Sequence, residues 1–145
     1  MDDGGGIKAE FRQIEHTADV AIEAQAPDLP GLFDRCAAGM FSLIAEGERV
    51  LAREEHTFAA EGHDLAEVLV GFLRELLWLH TDRTFLYAAA SFERLEPSSL
   101  VAAVQGETAD PARHAIVREI KAITYHGLVV EPRGEGWYAR VIFDV

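Results

Sequence analysis

The sequence predicts an α+β fold, in which two main helices pack on one face of a mostly antiparallel sheet of about six strands. Two segments before residue 81 repeat apolar residues at helical spacing, whereas the rest of the chain consists largely of strand-like runs. Two helices cannot cover both faces of so large a sheet, as repeated βαβ units would. The length of 145 residues fits one domain with an adequate core.

The domain is predicted to cover residues 9–145, preceded by a flexible N-terminal tail over residues 1–8. The start of the chain, Met1-Asp2-Asp3-Gly4-Gly5-Gly6, has neither the basic residues nor the apolar stretch of a signal peptide. We therefore expect no secretion signal.

The first predicted strand covers residues 20–26, where Val20, Ile22 and Ala24 share one face. Asp28 can then cap a helix that runs to about Ala45. The apolar stripe of that helix consists of Leu32, Phe33, Cys36, Ala37, Met40, Phe41 and Ile44. A short strand is predicted over residues 54–60.

The clearest helix follows Asp64, because Asp64-Leu65-Ala66-Glu67 has the form of a capping box. A leucine-rich repeat at helical spacing carries this helix to about His80. The pattern predicts an amphipathic helix packed against the core.

The remainder of the chain is predicted to be strands and turns. Glu96-Pro97-Ser98 joins two strands into a hairpin, and Gly134-Glu135-Gly136 joins the last two strands. A polar loop is expected over residues 108–117. The predicted strands cover residues 85–95, 99–107, 118–124, 126–132 and 137–144.

The composition excludes some functions. The formal net charge is −12, and the 13 Lys and Arg residues are scattered, so direct binding of nucleic acid is not expected. No apolar run approaches the roughly 20 residues that a membrane-spanning helix needs. The single cysteine, Cys36, lies in the apolar stripe, which favours a reduced core thiol in a cytoplasmic protein.

Three polar clusters could carry chemistry. A zinc enzyme would use His16, Asp19, His114 and His126, but neither a His-Glu-x-x-His motif nor paired cysteines are present. Lys121 could be a covalent nucleophile, although an ion-paired strand lysine fits its spacing better. The clusters are Glu15-His16-Thr17-Ala18-Asp19, then Gly106-Glu107 with Asp110 and Arg113-His114, and finally Glu119-Ile120-Lys121-Ala122-Ile123-Thr124-Tyr125-His126.

The last residues of the sequence favour a hard-cation site. Asp144 and Val145 close a strand-like run, which places a carboxylate side chain beside the α-carboxylate. If the first and last strands are neighbours, Asp19 adds a third negative group, and oxygen donors of this kind suit Ca²⁺. Without a cation these groups would repel one another. The alternative at this point is three unrelated surface carboxylates.

Taken together, these motifs resemble the archease family over about Phe11 to Val145. The resemblance rests on the three polar clusters, on Asp64-Leu65 at the start of the second helix and on the closing Phe143-Asp144-Val145. The segment 45–56 and the loop at residues 79–83 follow no pattern of that family, which leaves partner-specific contacts open.

The resemblance implies a helper protein rather than an enzyme. Archeases stimulate the tRNA-splicing RNA ligase by promoting its guanylylation and multiple turnover. They bind a divalent cation, commonly Ca²⁺, near the C-terminus. Carried over by motif, the ligands would be Asp19, Asp144 and the carboxylate of Val145.

The resemblance also implies a functional surface at His16, Asp64, His114 and Lys121, although Asp64 has a full alternative role as a helix cap. Two other functions remain open from the residues alone. One is a metal-dependent hydrolase or transferase built on His16, Asp19, His114 and Lys121. The other is a general chaperone-like interaction module.

Overall fold

A computed structural model describes residues 18–145 of the protein, and it confirms the α+β class. Two helices and eight strands are present in this range. The predicted tail over residues 1–8 and the candidate residue His16 lie outside it. The elements in chain order are β1 (Asp19–Ala26), α1 (Leu29–Ile44), β2 (Ala45–Gly47), β3 (Glu54–Glu61), α2 (Leu65–Arg83), β4 (Phe85–Glu96), β5 (Ser99–Thr108), β6 (His114–Ile116), β7 (Ala122–Arg133) and β8 (Gly136–Asp144).

The strands form three sheets instead of the predicted single sheet of about six strands. Two sheets have three strands each, in the orders β1-β8-β7 and β3-β5-β4, and β2 pairs with β6 alone. All pairings are antiparallel. The sequence did not predict β2 and β6, because strands of three residues are too short for an alternating pattern to be recognised.

Strand β7 joins two segments that were predicted as separate strands. It runs from Ala122 to Arg133 with a register shift between Thr124 and Val129, and residues 118–121 have no regular structure. The predicted hairpins β4–β5 and β7–β8 are both present.

Both helices begin where their capping residues predict. The Asp28 side chain accepts a hydrogen bond from the Gly31 N–H at 2.8 Å, and the Asp64 side chain accepts one from the Glu67 N–H at 2.9 Å. Helix α2 continues three residues past the predicted end to Arg83 and stops at Thr84, which has a left-handed backbone with φ of 56°.

The helices lie against both three-stranded sheets. Helix α1 contacts β1, β8 and β4, and α2 contacts β3, β4, β5 and β7. Their apolar stripes meet a cluster of four aromatic rings, whose centres are 5.4 to 6.1 Å apart. Full burial of one such ring stabilises the fold by about 1.5–3 kcal/mol. The rings belong to Phe33, Phe58, Phe72 and Phe92.

Cys36 lies in this core, as predicted. It is fully buried and unpaired, and burial raises the pKa of its thiol to about 12. The thiol is therefore unreactive at neutral pH. Within residues 18–145, neither helix is both long and apolar enough to cross a bilayer.

Candidate functional site at the ends of strands β1 and β8

The pairing of β1 with β8 brings two distant parts of the sequence together. Asp19 lies directly opposite Asp144 in the antiparallel register. Residues opposite each other in such a pair project from the same face, with Cβ atoms about 4.5–5.5 Å apart. The Val145 N–H donates a hydrogen bond to the Ala18 carbonyl at 3.0 Å, which holds the chain beyond β8 against the start of β1.

The two carboxyl groups interact unfavourably when both are ionised. The pKa of Asp144 is raised, chiefly by a hydrogen bond to Asp19, then by desolvation and by the negative charge of Asp19. The positive charge of Lys121 acts in the opposite direction. Such a pair is relieved either by a shared proton or by a bound cation.

Lys121 belongs to the same site. Its N–H donates to the Asp144 carbonyl at 2.8 Å, and its side chain is exposed. The irregular segment before β7 therefore brings the Lys121 backbone to the end of β8, and the positive charge of its side chain acts on Asp144. The structure thus brings together four of the seven predicted residues: Asp19, Lys121, Asp144 and Val145.

The donors at this place suit a hard cation. Carboxylate oxygens, here from two neighbouring strands, are among the ligands that Ca²⁺ prefers. Among residues 18–145, no group of three or more His, Cys, Asp and Glu side chains is arranged to hold a metal ion. The predicted set contains only two such side chains, since its third ligand is the carboxylate of Val145. Cation binding here therefore stays a prediction.

A second polar cluster forms around Glu107 at the end of β5. Glu107 is only 4% exposed. One of its oxygens accepts a hydrogen bond from the Leu51 N–H at 2.7 Å, and the other pairs with the Arg113 guanidinium. Both interactions lower the pKa of Glu107, and the hydrogen bond from Arg113 has the larger effect. The carboxylate therefore ties the β2–β3 loop to the β5–β6 loop.

His114 lies in this second cluster rather than at the chain end. Its Nδ1 accepts a hydrogen bond from the Asp110 N–H at 3.1 Å, which assigns the ring proton to Nε2. Nε2 is 3.9 Å from a Glu107 oxygen. Arg113 also bonds Asp110, with 3.2 Å between Nε and the carboxylate. We name the group of Glu107, Asp110, Arg113 and His114 the Glu107 cluster.

Two glycines allow the backbone approaches on which the Glu107 cluster depends. A Cβ on Gly106 would lie 1.9 Å from the Leu86 carbonyl oxygen. Gly47 has φ of +125°, and a Cβ there would lie 2.2 Å from the Arg113 carbonyl oxygen. The Gly106-Glu107 motif thus has a packing reason that is independent of any ligand.

The predicted residue Asp64 lies elsewhere, at the start of α2, and His16 is outside the described residues. The Asp64 side chain caps α2. The Glu67 side chain accepts from the N–H of His63 at 2.8 Å, whereas a capping box would place it on the N–H of Asp64. Asp64 therefore has a complete structural role.

The sequence did not predict one group of exposed side chains. Trp78 and Tyr125 are exposed, and Arg74 contacts Tyr125. The feature of the sequence that could have predicted this group is the position of Trp78 outside the apolar stripe of α2.

Comparison with known proteins identifies the class of molecule that this fold defines. The model of the Archease protein family (MTH1598/TM1083) matches residues 11–145. The chain belongs to the archease family.

Curated relatives support this assignment over almost the whole chain. It is 33% identical to the protein archease of Pyrococcus abyssi over 139 residues, which is 93% of this chain and 98% of that protein. It is also 33% identical to the protein archease of Methanopyrus kandleri over 138 residues, 93% of this chain and 99% of the other.

Solved structures share the fold. Protein 1598 of Methanobacterium thermoautotrophicum superposes with a TM-score of 0.73 at 27% identity, over 90% of this chain and 95% of that one. An archease of Thermotoga maritima, described as a possible chaperone, has a TM-score of 0.64 over 95% of this chain and 99% of its own. Its 19% identity supports similarity of the fold alone.

Proposed function

We propose that this chain is a non-enzymatic activator of the tRNA-splicing RNA ligase, and that it promotes ligase guanylylation and multiple turnover. The observation that carries the proposal is the Asp19–Asp144 pair with Lys121 beside it, in a chain that matches the archease family. The three residues come from different parts of the sequence, and the β1–β8–β7 sheet brings them together.

The proposal includes a divalent cation, Ca²⁺ or a similar ion, held by Asp19, Asp144 and the Val145 carboxylate. A bound cation would supply positive charge between the two aspartates, where the hydrogen bond to Asp19, desolvation and the negative charge of Asp19 together raise the pKa of Asp144. The chain itself supplies the rigid register, since Val145 is hydrogen-bonded to Ala18. Lys121 is exposed, and its positive charge acts on Asp144.

The charge of the protein supports a protein partner. A net charge of −12 favours a basic surface, such as the region of a ligase that binds RNA, and disfavours direct contact of this chain with RNA. Ligase activation would take place in the cytoplasm, and it requires no membrane.

Multiple-turnover ligation tests the proposal. A small amount of the cognate ligase is incubated with RNA ends bearing a 2′,3′-cyclic phosphate and a 5′-hydroxyl, with and without this protein. We expect several rounds of ligation only when the protein is present, together with faster ligase guanylylation. An unchanged yield and guanylylation rate would rule the activator function out.

A variant pair connects the function to the site. Asp144→Asn should reduce stimulation, because it removes one carboxylate of the pair. Glu93→Gln removes an exposed strand carboxylate outside the site and should leave stimulation unchanged. Equal loss in both variants would indicate a general effect of charge instead of a site.

The structure does not favour the hydrolase alternative. That alternative needs His114 to act with Asp19 and Lys121, whereas the contacts of His114 run to Asp110, Arg113 and Glu107. A general chaperone function is the second candidate, because this chain belongs to the archease family and a protein of that name from Thermotoga maritima is described as a possible chaperone. It predicts suppression of aggregation for unrelated proteins, which a light-scattering assay would detect.

A further inference from the structure

The outer side of α2 carries an unusual group of exposed side chains. Trp78 is 61% exposed and Tyr125, from β7, is 52% exposed. Arg74 connects α2 to Tyr125. Its Nη1 donates to the Tyr125 hydroxyl at 3.3 Å, and its guanidinium carbon lies 5.2 Å from the centre of the ring.

This arrangement is not required by the core. The apolar stripe of α2 faces inward through Leu69, Phe72, Leu73 and Leu76, all fully buried. Trp78 lies outside that stripe and leaves most of its indole in solvent. Trp, Tyr and Arg are also the residue types that most often dominate binding energy at protein interfaces.

The rim around Trp78 is acidic. Glu75 and Asp82 are exposed and lie three residues before and four residues after Trp78, which makes them its neighbours on the helix surface. Arg74 is the basic neighbour, and its guanidinium already contacts Tyr125. We name the group of Arg74, Glu75, Trp78, Asp82 and Tyr125 the α2 outer face.

We propose that the α2 outer face is the docking surface for the partner, and that it fits a basic protein surface with an apolar cleft that receives Trp78. The inference rests on the proposed function, so the partner is the ligase. Charge complementarity selects this occupant, because Glu75 and Asp82 attract lysines and arginines. The same charges repel a second copy of this acidic chain.

Tyr125 links the docking surface to the candidate site. It lies in β7, which begins next to Lys121 and pairs with β8 opposite Asp144. A partner held on α2 and Tyr125 would therefore contact the strand that begins directly after Lys121. Docking would use β7 itself, and activation would use the residue directly before it.

Fluorine NMR on fluorotryptophan-labelled protein tests docking directly, because the unlabelled ligase contributes no signal. The chain has two tryptophans, so Trp137→Phe assigns the remaining resonance to Trp78. We expect the Trp78 resonance to show the solvent exposure of the side chain in the free protein. The resonance should shift and broaden when the ligase is added. A Trp78 signal that is protected in the free full-length chain, or unchanged by bound ligase, overturns the proposal.

Affinity measurements on variants supply the energetic test. Trp78→Ala should weaken ligase binding by about thirty-fold, the effect of losing one interface hot spot. Glu75→Gln combined with Asp82→Asn should slow association several-fold, with the difference disappearing at high salt. The matched control is Ile116→Ala, which truncates an exposed apolar side chain on β6.

The outcomes separate the two proposals. If the wild-type protein binds and stimulates the ligase but Trp78→Ala does so equally well, the docking inference fails and the proposed function stands. If the wild-type protein neither binds nor stimulates the ligase, both fail. If Trp78→Ala abolishes self-association but leaves ligase binding intact, the face joins two copies of this chain and the inference is overturned.

Discussion

The carboxylate pair at the chain end and the Glu107 cluster are built from the same kinds of residue but differ in charge balance. Glu107 is buried, and an arginine and a backbone N–H satisfy its oxygens. Asp144 faces another aspartate, and the pKa shifts have opposite directions at the two places. A balanced cluster stabilises the fold by itself, whereas an unbalanced pair needs a proton or a cation.

The difference separates structural from functional residues among motifs that look alike in the sequence. His114 and Lys121 both lie in polar runs, and both were predicted to belong to one functional surface. His114 is held within a compensated network, while Lys121 remains exposed beside the uncompensated pair. Variants of the two clusters should therefore behave differently.

The largest effect is expected from Glu107→Gln. The substitution keeps the size of the side chain but removes the buried negative charge that pairs with Arg113, and it leaves Arg113 paired with the more exposed Asp110. We expect the melting temperature to fall by on the order of 10 °C. Scanning calorimetry measures this, and Glu93→Gln is the exposed control. A melting temperature within a degree or two of wild type would show that the cluster is not structural.

The second-largest effect is expected for substitution of Asp144 at the chain end. Asp144→Asn should weaken Ca²⁺ binding by about tenfold or more, since it removes a proposed ligand. In the absence of the cation the same variant should be as stable as wild type or slightly more stable, because the repulsion with Asp19 is gone. Calorimetric titration and thermal melts with and without Ca²⁺ measure both quantities.

A C-terminal tag that follows Val145 gives a further check, since it removes the α-carboxylate and should also weaken binding. Equal affinity of the tagged and untagged proteins would exclude that carboxylate as a ligand.

Lowering the pH should change the contributions of Glu107 and Asp144 to stability in opposite directions. The pKa of Glu107 lies below its ordinary value of 4.5, so its stabilising contribution is present above that pH and is lost as the pH falls through the lowered value. The pKa of Asp144 lies above its ordinary value of 3.8, so its contribution to stability increases as the pH falls through the raised value.

Melting curves between about pH 7 and pH 3, without divalent cations, measure these contributions. Glu107→Gln should lose stability less steeply than wild type as the pH falls, and Asp144→Asn more steeply. The same pH dependence in all three proteins would contradict the assignment of the shifts.

The smallest effect is expected at Asp64. Asp64→Ala should destabilise the protein by about 1 kcal/mol, because it removes the N-cap of α2. Asp64→Ser restores a capping oxygen and should recover most of that loss. If Asp64→Ser is stable but fails to stimulate the ligase, Asp64 belongs to the functional surface in addition to capping the helix.

Local signals in the sequence predicted much of the fold. Asp28 and Asp64 were predicted as helix caps because each side-chain oxygen accepts a hydrogen bond from a backbone N–H only three residues later. Such a contact is a local feature of the sequence. The hairpin at Glu96-Pro97-Ser98 was equally local. The α+β class followed from these elements, because two amphipathic helices and a series of strands have few ways of burying their apolar faces.

The tertiary structure decided what local patterns cannot specify. The pairing of β2 with β6 joins residues far apart in the sequence, and each strand is too short to show a period. The division of the strands into three sheets depends on which edges meet, which is a property of the whole core. The exposure of Trp78 likewise depends on what the neighbouring elements leave uncovered.

The sequence by itself determined the candidate residues at the chain end, because acidic groups at the end of a strand pattern can be recognised locally. Only the tertiary structure decided that Asp19 faces Asp144, that Lys121 joins them and that His114 does not. The physical reason is that strand register and loop packing are set by long-range contacts. Charge compensation between side chains follows from those contacts and not from residue type.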